Sequence, residues 1–475
     1  MTTRGRSLAT LLLIFPAAAF WAFGNGYAAV WPAAWLAPLL MVRFLRGQPV
    51  GRGLLIAWPA VLAAWVFSWA GVFRLHGIEL AVAALVLSLV SLLPLLLNRL
   101  LAPRLPALLG TLVLPCAYAG YEYGLTVLLP YGSWGSIAYS QAGLLPLAQI
   151  ASLTGMWGLT FLVAWSASTA NLIWERRAAL RTALPAAAAF ATVLVLVLAF
   201  GAVRAAETVP AGPLAAMVLP RRENNENYQL RYSAEIADDL FARSAAATNG
   251  PRFIVWPEDS LAILASDERA LLDRAGRFAA QHNVYLQLSY GRRQSSSTLR
   301  YENKTVMIAP SGQALWSYRK SFPVPGHERR NMVPGDGRVP SAIIDGARYA
   351  AAICFDGDHR AIMRQAAGAD VLFLPSDDWP AITTLHAEMA RMRAIEYGLN
   401  IVRPTINGRT VAYGWHGQAR GVIEPGANQR TAIVRLDSAR GSTLYGRYGD
   451  WFAWLALAGL AGLTAMALAR RKRGA

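Results

Sequence analysis

Eight apolar blocks, each close to the roughly 20 residues that carry a helix across a bilayer, constrain this 475-residue chain more than any other feature. They include "SLATLLLIFPAAAFWAF" near the start, "IELAVAALVLSLVSLLPLLL" from residue 78 and "WFAWLALAGLAGLTAMALA" from residue 451. Seven lie before residue 204 and one after residue 450. The predicted organisation is a seven-span membrane domain over 1–204, an extramembrane domain over 205–449, and a final span with a basic tail over 450–475. The first block follows "MTTRGRS" like a signal peptide, but six more spans follow at short intervals, so an uncleaved first helix is expected.

Charge orients these blocks. The formal net charge of +17 would suit a nucleic-acid binder, but residues 205–450 hold 29 Lys+Arg against 25 Asp+Glu, a balance of only +4. Much of the excess sits in alternate loops: Arg4 and Arg6, then Arg43, Arg46 and Arg52, then Arg99 and Arg104, then Arg176, Arg177 and Arg181, then "RRKR" after the last block. The intervening loops are "GNGY", a stretch with Arg74 as its basic residue, and the uncharged run 126–155. The positive-inside rule puts both termini in the cytoplasm and residues 205–450 outside it. No nucleic-acid partner is expected.

From about residue 212 the texture changes. "LAAMVLP", "RFIVWPE", "VYLQLSYG", "KTVMIAP", "ALWSYRK", "YAAAICFD", "DVLFLPS", "TVAYG" and "TAIVRLD" read as strands, and "APSGQ" as a turn. "SAEIADDLFARSAAA", "DERALLDRAGRFAAQHN" and "LHAEMARMRAIEYG" have helical spacing. Together they predict an α/β or layered sandwich domain. No zinc-like Cys/His spacing and no phosphate-cradling glycine loop occurs, so neither metal nor cofactor is expected.

The two cysteines, Cys116 inside the fifth block and Cys354 after a strand, do not suit a disulfide. Cys354 has better company in Glu258 and Lys320, which also sit at strand ends. A thiol attacking an acyl carbonyl needs a base for its proton and a cation or donors for the oxyanion, and Glu and Lys supply both. Lysine is scarce, with Lys304, Lys320 and Lys472 against 42 arginines. Taken alone, Cys354 could be a buried core thiol, and His327 and His359 keep a Cys–His pair open.

"FIVWPEDSL", "YRKSFPVPGHE", "AAICFDGD" and "ADVLFLPSDDW" resemble the four signature regions of the nitrilase superfamily. With the apolar blocks, the chain is similar to the family's membrane-bound branch, the apolipoprotein N-acyltransferases. "LLPYGSWGSIAYSQ" and "HAEMARMRAIEYGLNIVRPTINGRT" resemble that branch's loop and its helix–strand unit. The resemblance implies an αββα sandwich outside the bacterial cytoplasmic membrane and a Glu258–Lys320–Cys354 triad. Cys354 would take an acyl chain from a phospholipid as a thioester, with Glu258 as base and Lys320 and the Phe355 N–H at the oxyanion. The acceptor would be the amine of a diacylglyceryl-cysteine lipoprotein.

In this reading Glu328 supports the triad, Trp256 and Trp379 pack the pocket, and Tyr139 and Gln141 line its membrane side. Glu122, inside an apolar block, is either structural or substrate-lining. The chain departs from the family at Asp356, where a glutamate is usual, at Asp377–Asp378–Trp379–Pro380, at "VLPRRENN" and at "PVPGHE". A different amine acceptor, or a membrane-bound amidase or nitrilase-type hydrolase using water, are the alternatives.

Overall fold

The computed structural model describes residues 11–221, 229–438 and 440–473. Arg4, Arg6 and the "RENN" of "VLPRRENN" lie outside them. The chain divides into a helical unit, 1–206 with 448–475, and an α/β unit, 207–447.

In the helical unit each apolar block contains helix: Ile14–Gly24, Trp31–Arg46, Val50–Trp69, Ile78–Val90 with Leu93–Leu101, Ala107–Leu128, Met156–Glu175, Leu184–Ala205 and Trp451–Arg473. Exposed Leu, Val and Phe side chains along them suit a hydrocarbon solvent. Among the described residues, four helices are long and apolar enough to span: Val50–Trp69, Ile78–Arg104, Leu184–Ala205 and Trp451–Arg470. Counting Leu145–Thr154 and Met156–Glu175, bent by 119°, as one span makes five. The expected eight is not reached by this measure: Ile14–Gly24 has 11 residues and Trp31–Arg46 has 16.

The α/β unit contains two facing sheets. The first joins β1 (Ala211–Val218), β2 (Phe253–Val255), β3 (Ala262–Leu264), β4 (Tyr285–Arg293), β5 (Tyr301–Ile308), β6 (Ala314–Arg319) and β15 (Thr431–Asp437), in the order β15-β1-β2-β4-β5-β6 with β3 on β4. The second joins β7 (Ser341–Ile344), β8 (Ala347–Ala351), β9 (Val371–Phe373), β11 (Asn400–Arg403), β13 (Thr410–Tyr413) and β14 (Ala419–Ile423), in the order β14-β13-β11-β9-β8-β7. A short parallel pair, β10 (Ser376–Asp377) with β12 (Thr405–Ile406), lies beyond β9 and β11.

Alternation along the strands explains the layers. Ala215, Met217, Phe253 and Val255 of the first sheet meet Tyr349, Ala351, Val371 and Phe373 of the second in one apolar core. The intervening residues, Ala216, Ile254 and Trp256, face the other way, onto Ile236, Leu240, Leu271 and Phe278 of the helices Ser233–Ala246 and Glu268–His282. The helix Thr383–Tyr397 packs on the second sheet at β11 and β13, completing helix, sheet, sheet, helix. Asn283, at φ 53°, ends one of these helices in the left-handed conformation that asparagine tolerates. The β1–β2–β4 and β8–β9–β11 runs are parallel, so their carboxyl ends gather where loops can bring polar groups together.

Candidate active site

Glu258 follows β2, Lys320 follows β6 and Cys354 follows β8, all at strand ends. Lys320 is fully buried, and its Nζ donates to Glu258 Oε1 at 2.8 Å and to Glu328 Oε1 at 2.9 Å. Burial opposes its charge, yet the two carboxylates outweigh it and hold its pKa well above the ordinary lysine value. The residue is therefore an ammonium rather than a base.

Glu258 is also buried and accepts three bonds. Besides Lys320, Oε1 takes the Asn303 amide at 2.7 Å, and Oε2 takes the Asp377 N–H at 2.7 Å. The carbonyl of the same Asp377 lies 3.9 Å from the Cys354 Sγ, so one residue touches both the carboxylate and the thiol. Glu328, on the short helix His327–Asn331, uses its other oxygen to accept the Val324 N–H at 2.7 Å.

Cys354 opens a tight turn, Cys354–Asp358, and has φ 49°, a left-handed conformation that costs a non-glycine residue on the order of 1 kcal/mol or more. Its N–H donates to the Pro375 carbonyl at 2.9 Å. Burial and the nearby Glu258 charge push the thiol well above its ordinary pKa, and Lys320 pulls only partly the other way. The sulfur is thus a thiol at neutral pH and needs a base to become a nucleophile.

Asp356 clamps the turn. Its Oδ1 accepts the Phe322 N–H at 2.8 Å and the Ser321 N–H at 3.1 Å, and its Oδ2 accepts the Tyr318 hydroxyl at 2.8 Å. Burial raises its pKa to about 7 against the pull of these donors. The aspartate that departs from the expected glutamate therefore ties the cysteine turn to the segment carrying Lys320.

A second buried cluster lies beside the thiol. Asp378 accepts Arg403 Nη2 on both oxygens, at 2.7 and 2.9 Å. His386 sits with Nδ1 2.7 Å from Asp378 Oδ1 and Nε2 3.2 Å from Asp358 Oδ2. Burial disfavours the charged ring, but Asp358 and Asp378 raise its pKa to about 9. Cys354, Asp378 and His386 each place one atom within 4.8 Å of the others. That grouping has the donor types of a metal site, but both oxygens of Asp378 and both nitrogens of His386 already face charged partners.

Of the other predicted residues in the α/β unit, Trp256 falls elsewhere. Trp256 does not line this cluster: it is the helix-side residue of its strand, fully buried against Phe241, with Nε1 donating to Ser244 at 2.9 Å. Strand alternation sends Val255 and Trp256 to opposite faces, which overturns its assignment to the pocket. Trp379 is partly buried directly after Asp378. Phe355 is buried edge-on to His359, with ring centroids 4.7 Å apart. His359 stacks on Phe322, and burial lowers its pKa to about 4.

Tyr139 and Gln141 are buried in the helical unit, where Tyr139 donates to Ser133 and Gln141 bonds Trp35, Trp31 and Ser140. Glu122 accepts from Ser136, Thr160 and the Ile137 N–H there, and it also lines a cavity of the helical unit, so both the structural and the substrate-lining alternative stand. Sequence reasoning missed Asn303, Tyr318, Arg403 and the histidine that does approach the thiol, His386. Arg403, closing the strand "NIVR" after two apolar residues, carried a weak signal, whereas Asn303 sits among Glu302, Lys304 and Thr305 and carried none.

Residues 183–441 match the carbon-nitrogen hydrolase family and residues 10–169 the apolipoprotein N-acyltransferase N-terminal domain. The chain belongs to the nitrilase superfamily, in its apolipoprotein N-acyltransferase branch. Proteins named apolipoprotein N-acyltransferase resemble it at low identity. One from Geobacter metallireducens is 25% identical over 75% of this chain and 74% of its own. One from Bradyrhizobium diazoefficiens is 28% identical over 67% and 66%. One from Chromobacterium violaceum is 26% identical over 93% and 91%. Among solved structures, an amidase from Nesterenkonia sp. aligns with a TM-score of 0.40 and 19% identity over 49% of this chain and 94% of its own.

Proposed function

We propose that this chain transfers a fatty acyl group from a membrane phospholipid, through a thioester on Cys354, to the N-terminal amine of a diacylglyceryl-cysteine lipoprotein. The observation that carries the reading is the buried Lys320 ammonium shared by Glu258 and Glu328, with Asp377 linking Glu258 to the Cys354 thiol. Family membership and the apolar helices supply the substrate class.

In the first step Glu258 takes the Sγ proton as sulfur attacks the ester carbonyl of the donor. The tetrahedral oxyanion is met by Lys320 and the Phe355 N–H, an electrostatic role that suits a buried, fixed ammonium. Collapse breaks the ester C–O bond, and the lysophospholipid leaves with the proton from Glu258. In the second step the acceptor amine attacks the thioester, Glu258 takes its proton, and the C–S bond breaks. That proton returns to sulfur, leaving an amide product and the starting thiol.

The basic loops supply the orientation. In this reading the chain is a multi-pass protein of the bacterial cytoplasmic membrane, with both termini inside and residues 205–449 outside.

Purified full-length protein incubated with acyl-labelled phospholipid and a diacylated lipopeptide should form a fatty acyl adduct on Cys354 and then labelled amide. Cys354→Ser should form neither labelled thioester nor amide. Free fatty acid without amide would replace the transferase reading with a hydrolase one. A thioester that survives loss of Cys354 would sink the nucleophile assignment.

A further inference from the structure

We propose that His386, as an imidazolium donating from both ring nitrogens, is a positioning residue that ties the cysteine turn to the Asp377–Asp378 strand and so holds the Cys354 thiol beside Glu258. The inference rests on the reading of Cys354 as nucleophile and adds to it a residue from a different element.

The connectivity makes the case. Nε2 reaches Asp358, four residues after Cys354 on the same tight turn. Nδ1 reaches Asp378, whose neighbour Asp377 gives its N–H to Glu258 and holds its carbonyl 3.9 Å from Sγ. One ring, held on the helix Thr383–Tyr397, thus joins the two segments that set the sulfur against its base.

Only the cation donates to both carboxylates. A neutral imidazole carries one N–H, so its other nitrogen would present a lone pair to a carboxylate. The charged and titratable groups facing the ring are Asp358 and the Cys354 thiol from the turn, Asp378 from the β10 strand end and Arg403 from β11. Arg403 Nη2 lies 2.9 Å from Nδ1 and would donate to it in a neutral ring, but both nitrogens approach the same Asp378 oxygen at 2.7 Å, and the pair of carboxylates holds the ring charged, with its pKa raised to about 9. Two cations thus face two aspartates across the cluster. Gly408 makes room for it, since a Cβ there would come within 2.3 Å of Asp378 Oδ2.

Alkylation of Cys354 by iodoacetamide, followed by peptide mass spectrometry on full-length protein in detergent, reads the thiolate without any acyl donor. In the wild type the rate should rise with pH and level off above about pH 9, where His386 loses its proton. His386→Gln should slow alkylation at neutral pH by roughly 10-fold or more, because two aspartates beside the thiol lose a compensating cation, and should remove the levelling. Adding Asp358→Asn should restore the neutral-pH rate to within about 3-fold, again without the levelling. The Gln amide then donates to Asp378 while its oxygen accepts from the new Asn, rebuilding the bridge from uncharged groups.

An unchanged rate in His386→Gln would overturn the proposal. So would a constant slowing at every pH with the levelling intact, or a double variant no faster than the single one. Should His386→Gln fail to fold, the wild-type profile and the double variant decide in the same way. Normal alkylation behaviour without an acyl adduct would discard the acyl-transfer reading and leave the role of His386 standing.

Discussion

Lys320 shows how far one side chain can depend on its neighbours. It has no exposure, and its charge is held by Glu258 and Glu328 at 2.8 and 2.9 Å. Breaking such a buried pair by removing one partner costs about 3–5 kcal/mol, chiefly because the other charge stays buried. Lys320→Met should therefore lower the unfolding free energy by about that amount in a denaturant titration. Adding Glu258→Gln should return part of the stability and none of the acylation. That split would separate the lysine's part in folding from its part at the oxyanion. Asn303 belongs to the same account: its amide completes the donors on Glu258 Oε1, and it sits mid-strand where nothing in the local pattern announces it.

At the scale of elements, the site is an agreement between turns. Asp356 joins the cysteine turn to Tyr318, Ser321 and Phe322, and His386 joins that turn to the β10 strand end. Asp356→Ala should leave the sandwich folded but release the segment after Lys320. Measured at pH 8 or above, where Asp356 is ionised, loss of hydrogen bonds to its carboxylate, at about 2–3 kcal/mol, corresponds to roughly 30- to 150-fold slower adduct formation on Cys354, timed by mass spectrometry.

His386 also makes a signed pH prediction. Its folded pKa of about 9 lies above the ordinary 6.5, so the stability it contributes is fully present below about pH 6.5 and is lost as pH rises through 9. The change is on the order of 3 kcal/mol, and thermal melts across that range should show a loss that His386→Gln/Asp358→Asn lacks. Trp256 teaches the complementary lesson. Its position in a signature stretch suggests a pocket wall, but strand alternation places it under the helices.

For the whole molecule, the basic loops and apolar blocks make an orientation that reporters can read. Alkaline phosphatase fused within 207–447 should be active, and fused after Arg473 inactive, if the α/β unit is extracytoplasmic and the tail is not. The reverse pattern would invert the topology and remove access to a lipoprotein on the outer face.

Apolar runs near 20 residues, their flanking arginines and the period-two strands were legible because each is a local pattern with a local physical cause. Nine strand-like runs and three helical ones all became elements of their own type. Short strands such as β3, β7 and β14 were not legible, since three to five residues carry too little period. The span count also stayed open, because length and hydropathy separate a bilayer helix from a buried one poorly when polar and small residues are mixed in, as in Ala107–Leu128. By itself the sequence determined the two-part organisation, the family, and the position of Glu258, Lys320 and Cys354 at strand ends. Only the tertiary structure decided which polar groups surround them. Asn303, Asp356, Asp378, His386 and Arg403 come from separate strands, turns and a helix, and a charge becomes part of a site only when burial forces it to find partners.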